Sequence, residues 1–132
     1  MRLRFINLEE KSSEISGLLD FQNKIIFINI ADSPARQRFT IAHELGHALL
    51  HRPELQNNPN LGIFYRKPLH DEIFNSSEEQ QANCFAANLL VPEKILRKIY
   101  SSCQSHTLLA NIFNVSRQVI DIRMENLGLR NG

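Results

Sequence analysis

The sequence has no run of about eighteen apolar residues, so no stretch of it is long enough to cross a bilayer as a helix. It has no excess charge of either sign. Fifteen Lys and Arg stand against 14 Asp and Glu, spread along the chain, and this balance lacks the basic field of a nucleic-acid binder. Cysteine is scarce. Cys84 and Cys103 are the only two, and their apolar-patterned surroundings read as reduced, buried thiols rather than a disulfide framework. The N-terminus meets Glu9 and Glu10 before any apolar stretch long enough for a signal peptide. These absences together predict a cytoplasmic protein with no membrane contact. Internal repeats and low-complexity stretches are missing too. What is present is 132 residues, 42% of them hydrophobic, enough for one domain with a real core.

The pattern predicts an α+β fold. Residues 1–14 read as a short strand or an irregular arm. Ile15–Asp20 and Lys24–Ile30 read as two strands around a tight turn at Gln22-Asn23. The run Ile25 to Ile30 is almost continuously apolar, which suits a strand covered on both faces. Asp32 or Ser33 then caps a helix that opens at Pro34, runs to about His51 and is ended by Pro53. From Arg52 to Asn75 the chain is irregular, with a short strand near 61–66; a loop this long is usually functional. A helix over about Ser76–Leu90 follows. Pro92 opens another, to about Ser101, and two more lie between His106 and Leu129. Between these two stands Asn114-Val115-Ser116, with Ser116 as N-cap and Gly128 as the C-terminal stop. The expected organisation is a single domain over 1–132, β-rich over 1–33 and helical over 92–129. Its small sheet, of about three strands, packs against the helix 34–51.

That helix carries His43-Glu44-Leu45-Gly46-His47, an H-E-x-x-H pattern. Residues four apart stack on one helix face, so both imidazoles can reach one metal ion while Glu44 handles the proton of a water beside it. At 100° per residue, Thr40, His43, Glu44, His47 and His51 share about a third of the circumference. Phe39, Ile41, Ala42, Leu45, Leu49 and Leu50 fill the rest, which predicts one core face and one site face. Gly46 costs roughly 1 kcal/mol against Ala inside a helix, which suggests a close approach by another element.

A catalytic zinc usually takes three protein ligands. The candidates for the third are Glu78, Glu79, His51, His70, Asp71 and Glu72. His51 lies about 12 Å along the axis from His43, too far to share a tetrahedral site, and reads as structural. If Glu79 faces the first helix, then Ala82, Asn83, Ala86 and Leu90 do too, a small-residue face that suits packing against Gly46. Asn83 could then hydrogen-bond an imidazole. Against this, Ser76-Ser77-Glu78-Glu79 is also the spacing of a capping box. Glu78 points about 100° away and faces solvent.

The runs Arg36 to His51 and Glu79 to Pro92, with the closing segment Phe113 to Leu129, resemble the ImmA/IrrE family of metallopeptidases. The resemblance spans roughly residues 25–129. It implies a zincin-like domain, zinc on His43, His47 and Glu79, and Glu44 as the catalytic base. It also implies a partner, a helix-turn-helix (Xre-like) repressor, as the protein acted upon. Two imidazoles and a carboxylate suit zinc. The expected reaction is peptide-bond hydrolysis, with the substrate added as a strand to the sheet edge near Lys24–Ile30 or to a strand at 62–66. Tyr65, His70 and His106 are candidates for stabilising the oxyanion. The competing reading keeps the zinc and drops the protease, leaving a regulator or toxin that merely holds its repressor partner. The C-terminal helices also have the outline of a helix-turn-helix, with Arg117 and Arg123 within reach of phosphate. Their charge balance favours a lid or partner-docking element, and no direct binding of nucleic acid is expected.

Overall fold

The computed structural model describes residues 1–11, 15–51, 62–66 and 77–129, the strand 62–66 by its backbone. Four strands are present: β1 (Arg2–Ile6), β2 (Ile15–Asp20), β3 (Ile25–Asn29) and β4 (Gly62–Arg66). Five α-helices accompany them: α1 (Pro34–Leu50), α2 (Ser77–Leu90), α3 (Glu93–Tyr100), α4 (His106–Phe113) and α5 (Arg117–Leu127). The fold is α+β, with β1 to β3 ahead of α1 and helices from residue 77 onward. The long segment between α1 and α2, apart from β4, lies outside the described residues, and so do Pro53 and Ser76.

The strands lie in the order β1-β3-β2-β4. β2 and β3 form an antiparallel hairpin, with Gly17 opposite Ile28 and Asp20 opposite Ile25. Its turn is held by Asp20, whose carboxylate accepts from the backbone and the side chain of Asn23 at 3.1 and 2.9 Å. Those bonds hold the Asp20 carboxyl below its ordinary range. β1 pairs parallel to β3, and β4 antiparallel to β2. The sheet thus has four strands where the pattern suggested about three, because the N-terminal arm adds an edge. This pairing also corrects the expected substrate edge. β3 is bonded on both sides, so Lys24–Ile30 presents no free edge; among the described residues the outer strands are β1 and β4.

α1 begins as its sequence dictates. Ser33 Oγ accepts from the Arg36 N–H, and Pro34 follows at the first helical position. The helix lies across the sheet and buries Leu19, Ile26, Ile28 and Ala48, flanked by Phe21, Ile41 and Leu45. Each such large side chain contributes roughly 1.5–3 kcal/mol on burial. Only one face of β3 is closed in this way. Ile25 and Phe27 on the other face are half-buried, and Ile30 is exposed, so the strand is not covered on both sides.

The division of α1 into a core face and a site face also needs correction. Thr40, His43, Glu44, His47 and His51 are among its most buried residues, whereas Leu49 and Leu50 are 58% and 47% exposed. α1 is clamped between the sheet and α2, so the polar face is interior and the apolar end looks outward.

A second core is built from the other helices. Val91, Leu96, Leu109, Phe113, Ile120 and Met124 are its centre, with Phe39 of α1 and Leu90 packed against it. Arg38 of α1 ties the two halves together, donating to the carbonyls of Asn114 and Phe113 at the end of α4. Ser116 caps α5 and Gly128 ends it at φ 70°. Arg123 is buried and donates to the Val91 carbonyl at 2.9 Å, so it is spent inside the core and does not face a phosphate. Arg117 lies beside Asp121 and Thr107. Cys103 is half-buried, but Cys84 is exposed, against the expectation of two buried thiols; neither forms a disulfide.

Candidate metal centre

Helix α2 reaches α1 because both are narrow where they meet. A Cβ on Gly46 would stand 3.0 Å from Phe85 Cδ1 and 3.3 Å from Ala82 Cα. Ala82 and Ala86 are completely buried. Gly46 is therefore the point of close approach that its helix penalty predicts, and the small face of α2 is what fits against it.

This approach brings the Glu79 carboxylate to the two imidazoles. Oε1 lies 2.6 Å from His47 Nε2, and Oε2 lies 3.1 Å from His43 Nε2. The three side chains form a cluster whose ligand atoms all fall within 4.8 Å of one another. Donors held tetrahedrally at zinc–ligand distances of 2.0–2.1 Å would sit about 3.4 Å apart. The two carboxylate–imidazole distances need to open by less than an ångström, and the donor set of two imidazoles and a carboxylate suits a metal ion. His43 Nδ1 lies 2.7 Å from Asn83 Oδ1. That bond keeps a proton on Nδ1, so Nε2, the atom facing Glu79, is the nitrogen that becomes a metal ligand once its own proton is lost. Glu78, next to Glu79, is exposed.

The electrostatics of the cluster follow from burial. Burial pushes the His43 imidazole below its ordinary pKa, against the pull of Glu79. Burial alone would raise the Glu79 carboxyl, but hydrogen bonds and charge from His43 and His47 overcome it and hold Glu79 at about 2. Glu44 has no such help. It is 0% exposed, and neither carboxylate oxygen has a hydrogen-bond partner among the described residues. Burial, with the Glu79 charge adding to it, pushes its carboxyl well above the ordinary range. A buried carboxylate with no partner is costly, and such groups concentrate where chemistry is done.

The other candidates separate from this cluster. His51 bonds the Glu78 carbonyl at 3.3 Å, locking the end of α1 to the start of α2. His106 pairs with Asp121 of α5 among the C-terminal helices, which gives it a structural partner rather than an oxyanion. His70, Asp71, Glu72 and the Tyr65 side chain lie outside the described residues. The sequence reading passed over Gly17. A Cβ there would meet Thr40 Cγ2 at 2.4 Å and the Phe27 carbonyl oxygen at 2.9 Å. A glycine inside a strand is the one signal that could have marked it.

A sequence profile of the IrrE N-terminal-like domain matches residues 1–125. The chain is 31% identical over 125 residues to the metallopeptidase ImmA of Bacillus subtilis, covering 92% of this chain and 69% of that protein. It is 36% identical over 83 residues to the radiation response metalloprotease IrrE of Deinococcus radiodurans, and 38% identical over 84 residues to the protein of the same name from Deinococcus deserti. Those two alignments cover 63% and 61% of this chain, and 24% and 27% of the relatives. The chain thus spans about a quarter of the length of the IrrE proteins.

Proposed function

The chain belongs to the ImmA/IrrE family of metallopeptidases, and from that premise we propose that it is a zinc-dependent endopeptidase whose substrate is a helix-turn-helix repressor. The observation that carries the reading is the buried Glu44 carboxylate next to the His43–His47–Glu79 cluster, with no hydrogen-bond partner among the described residues. In this reading His43 and His47 supply Nε2 and Glu79 one carboxylate oxygen to the metal. A bound zinc ion would supply Lewis acidity, acidifying water and polarising the scissile carbonyl.

The remaining steps fall to the chain's own residues. Asn83 holds His43 in the tautomer that presents Nε2. Glu44 takes the proton of the attacking water on a carboxylate oxygen and returns it to the leaving amine. A pKa above the ordinary carboxylate range suits both halves of that cycle near neutral pH. β4 is an outer strand of the sheet among the described residues, and an extended substrate segment would add to it as a further strand.

The test is incubation of the zinc-loaded protein with helix-turn-helix repressors from the same genome, read by mass spectrometry. Wild type is expected to cut the repressor at a discrete bond. Chelator and the Glu44→Gln substitution are each expected to abolish cleavage, with zinc still bound in the variant. Cleavage by Glu44→Gln at the wild-type rate would sink the mechanism. A stable complex without cleavage would favour the competing role, a zinc-binding regulator or toxin that holds its partner.

A further inference from the structure

We propose that Gly17 and Thr40 are positioning residues that set where the Glu44 carboxylate stands. Gly17 lies in the interior of β2, directly under α1. A Cβ there would stand 2.4 Å from the Thr40 methyl Cγ2, 2.9 Å from the Phe27 carbonyl oxygen and 3.9 Å from Glu44 Cγ. The first two distances are shorter than real Cβ contacts allow, so the missing side chain is a notch in the sheet. The Thr40 methyl fills the notch, and the stem of Glu44 rests at its rim.

Thr40 and Glu44 are four residues apart on one face of α1 and both are 0% exposed. No protein hydrogen bond among the described residues orients the Glu44 carboxylate. Its position is therefore left to the packing of its stem, and on the sheet side that stem faces the Gly17 notch, where a Cβ would stand 3.9 Å from Glu44 Cγ. The cluster of His43, His47 and Glu79 is held from the other side, by α2. Two supports thus meet at the site: α2 brings Glu79 to the α1 histidines and orients His43 through Asn83, and the Gly17–Thr40 contact sets the base. This inference rests on Glu44 acting as the base.

The consequence is that the two supports come apart on substitution. The measurements are zinc affinity, by competition with a chromophoric chelator, and crystal structures of the zinc-loaded full chain. Gly17→Ala is expected to move the Glu44 carboxylate by about 0.5 Å or more relative to the imidazoles of His43 and His47, enough to spoil a catalytic geometry. Zinc affinity should fall by less than the roughly tenfold that loss of a ligand's support brings. Thr40→Ser in the Gly17→Ala background removes the crowded methyl and should return the carboxylate towards its wild-type place. Thr40→Val keeps the shape that fills the notch and should leave Glu44 unmoved, whereas Thr40→Ala should let it move. If Gly17→Ala does not fold, the Thr40→Val and Thr40→Ala pair decides. An unmoved Glu44 in Gly17→Ala, or in Thr40→Ala, overturns the proposal. So does loss of zinc affinity in Gly17→Ala by about tenfold or more, which would make Gly17 a general packing residue. If Glu44→Gln cleaves at the wild-type rate, the base assignment fails, while the displacement of Glu44 is still measured for itself.

Discussion

Glu79 and Glu78 are adjacent carboxylates with opposite fates, and the difference is one step of 100° around α2. Glu79 meets both imidazoles, while Glu78 is exposed and lends only its backbone carbonyl, to His51. Glu79→Ala is expected to lower zinc affinity by more than about a hundredfold, since it removes one of three ligands, and Glu78→Ala to change it by less than about twofold. Chelator competition on both variants checks this, and the reverse order would mean the wrong glutamate. The buried Glu44 carboxyl makes a second, opposite kind of prediction, about stability. Its folded pKa is raised above the ordinary 4.5. Above that pH the unfolded chain releases a proton that the folded chain keeps, so Glu44 costs stability increasingly as pH rises. Glu44→Gln should therefore stabilise the metal-free protein at pH 7, because it removes the charge that burial disfavours. The gain should vanish at pH values below about 4.5, where both states hold the proton. Thermal melts across that range test it. These residues were legible from spacing, because a helix turns by a known angle. Whether Glu79 capped its own helix or reached the histidines was not legible, since both uses share one spacing.

At the scale of elements, α1 and α2 work as a pair because Gly46 and Ala82 leave no room between them. Gly46→Val would drive methyl groups into Phe85 and the Ala82 backbone. It is expected to cost about 1–3 kcal/mol through overpacking and to weaken zinc binding in parallel, because the same contact sets the distance from Glu79 to the histidines. Melting temperature and chelator competition should fall together. The helix ends were readable in advance. Ser33, Pro34, Ser116 and Gly128 do in the structure what their chemistry predicts, since caps are local interactions. The faces of α1 were less readable. Periodicity sorts side chains into arcs but does not say which arc is buried, and here the histidine arc is buried while Leu49 and Leu50 are exposed.

At the scale of the whole molecule, the described residues build two cores, one between the sheet and α1 and one among the later helices. The metal cluster bridges α1 and α2, so a bound ion would pin the first core to the second. Removing it with chelator is expected to lower the melting temperature, and added zinc should restore it, with the size of the shift growing as the logarithm of free zinc concentration. A melting temperature indifferent to chelator would mean that His43, His47 and Glu79 hold no ion. The sequence by itself determined the helix positions, the hairpin of β2 and β3, the caps and the pairing of two histidines with a neighbouring glutamate. Each of these follows from local geometry within about one turn or one hairpin. Tertiary structure alone decided that β1 pairs beside β3, that β4 joins the sheet beside β2, that Arg123 is consumed by the Val91 carbonyl and that Gly17 seats Thr40 beneath Glu44. Those contacts join residues far apart in the chain, and no local propensity encodes which distant partner a side chain will meet.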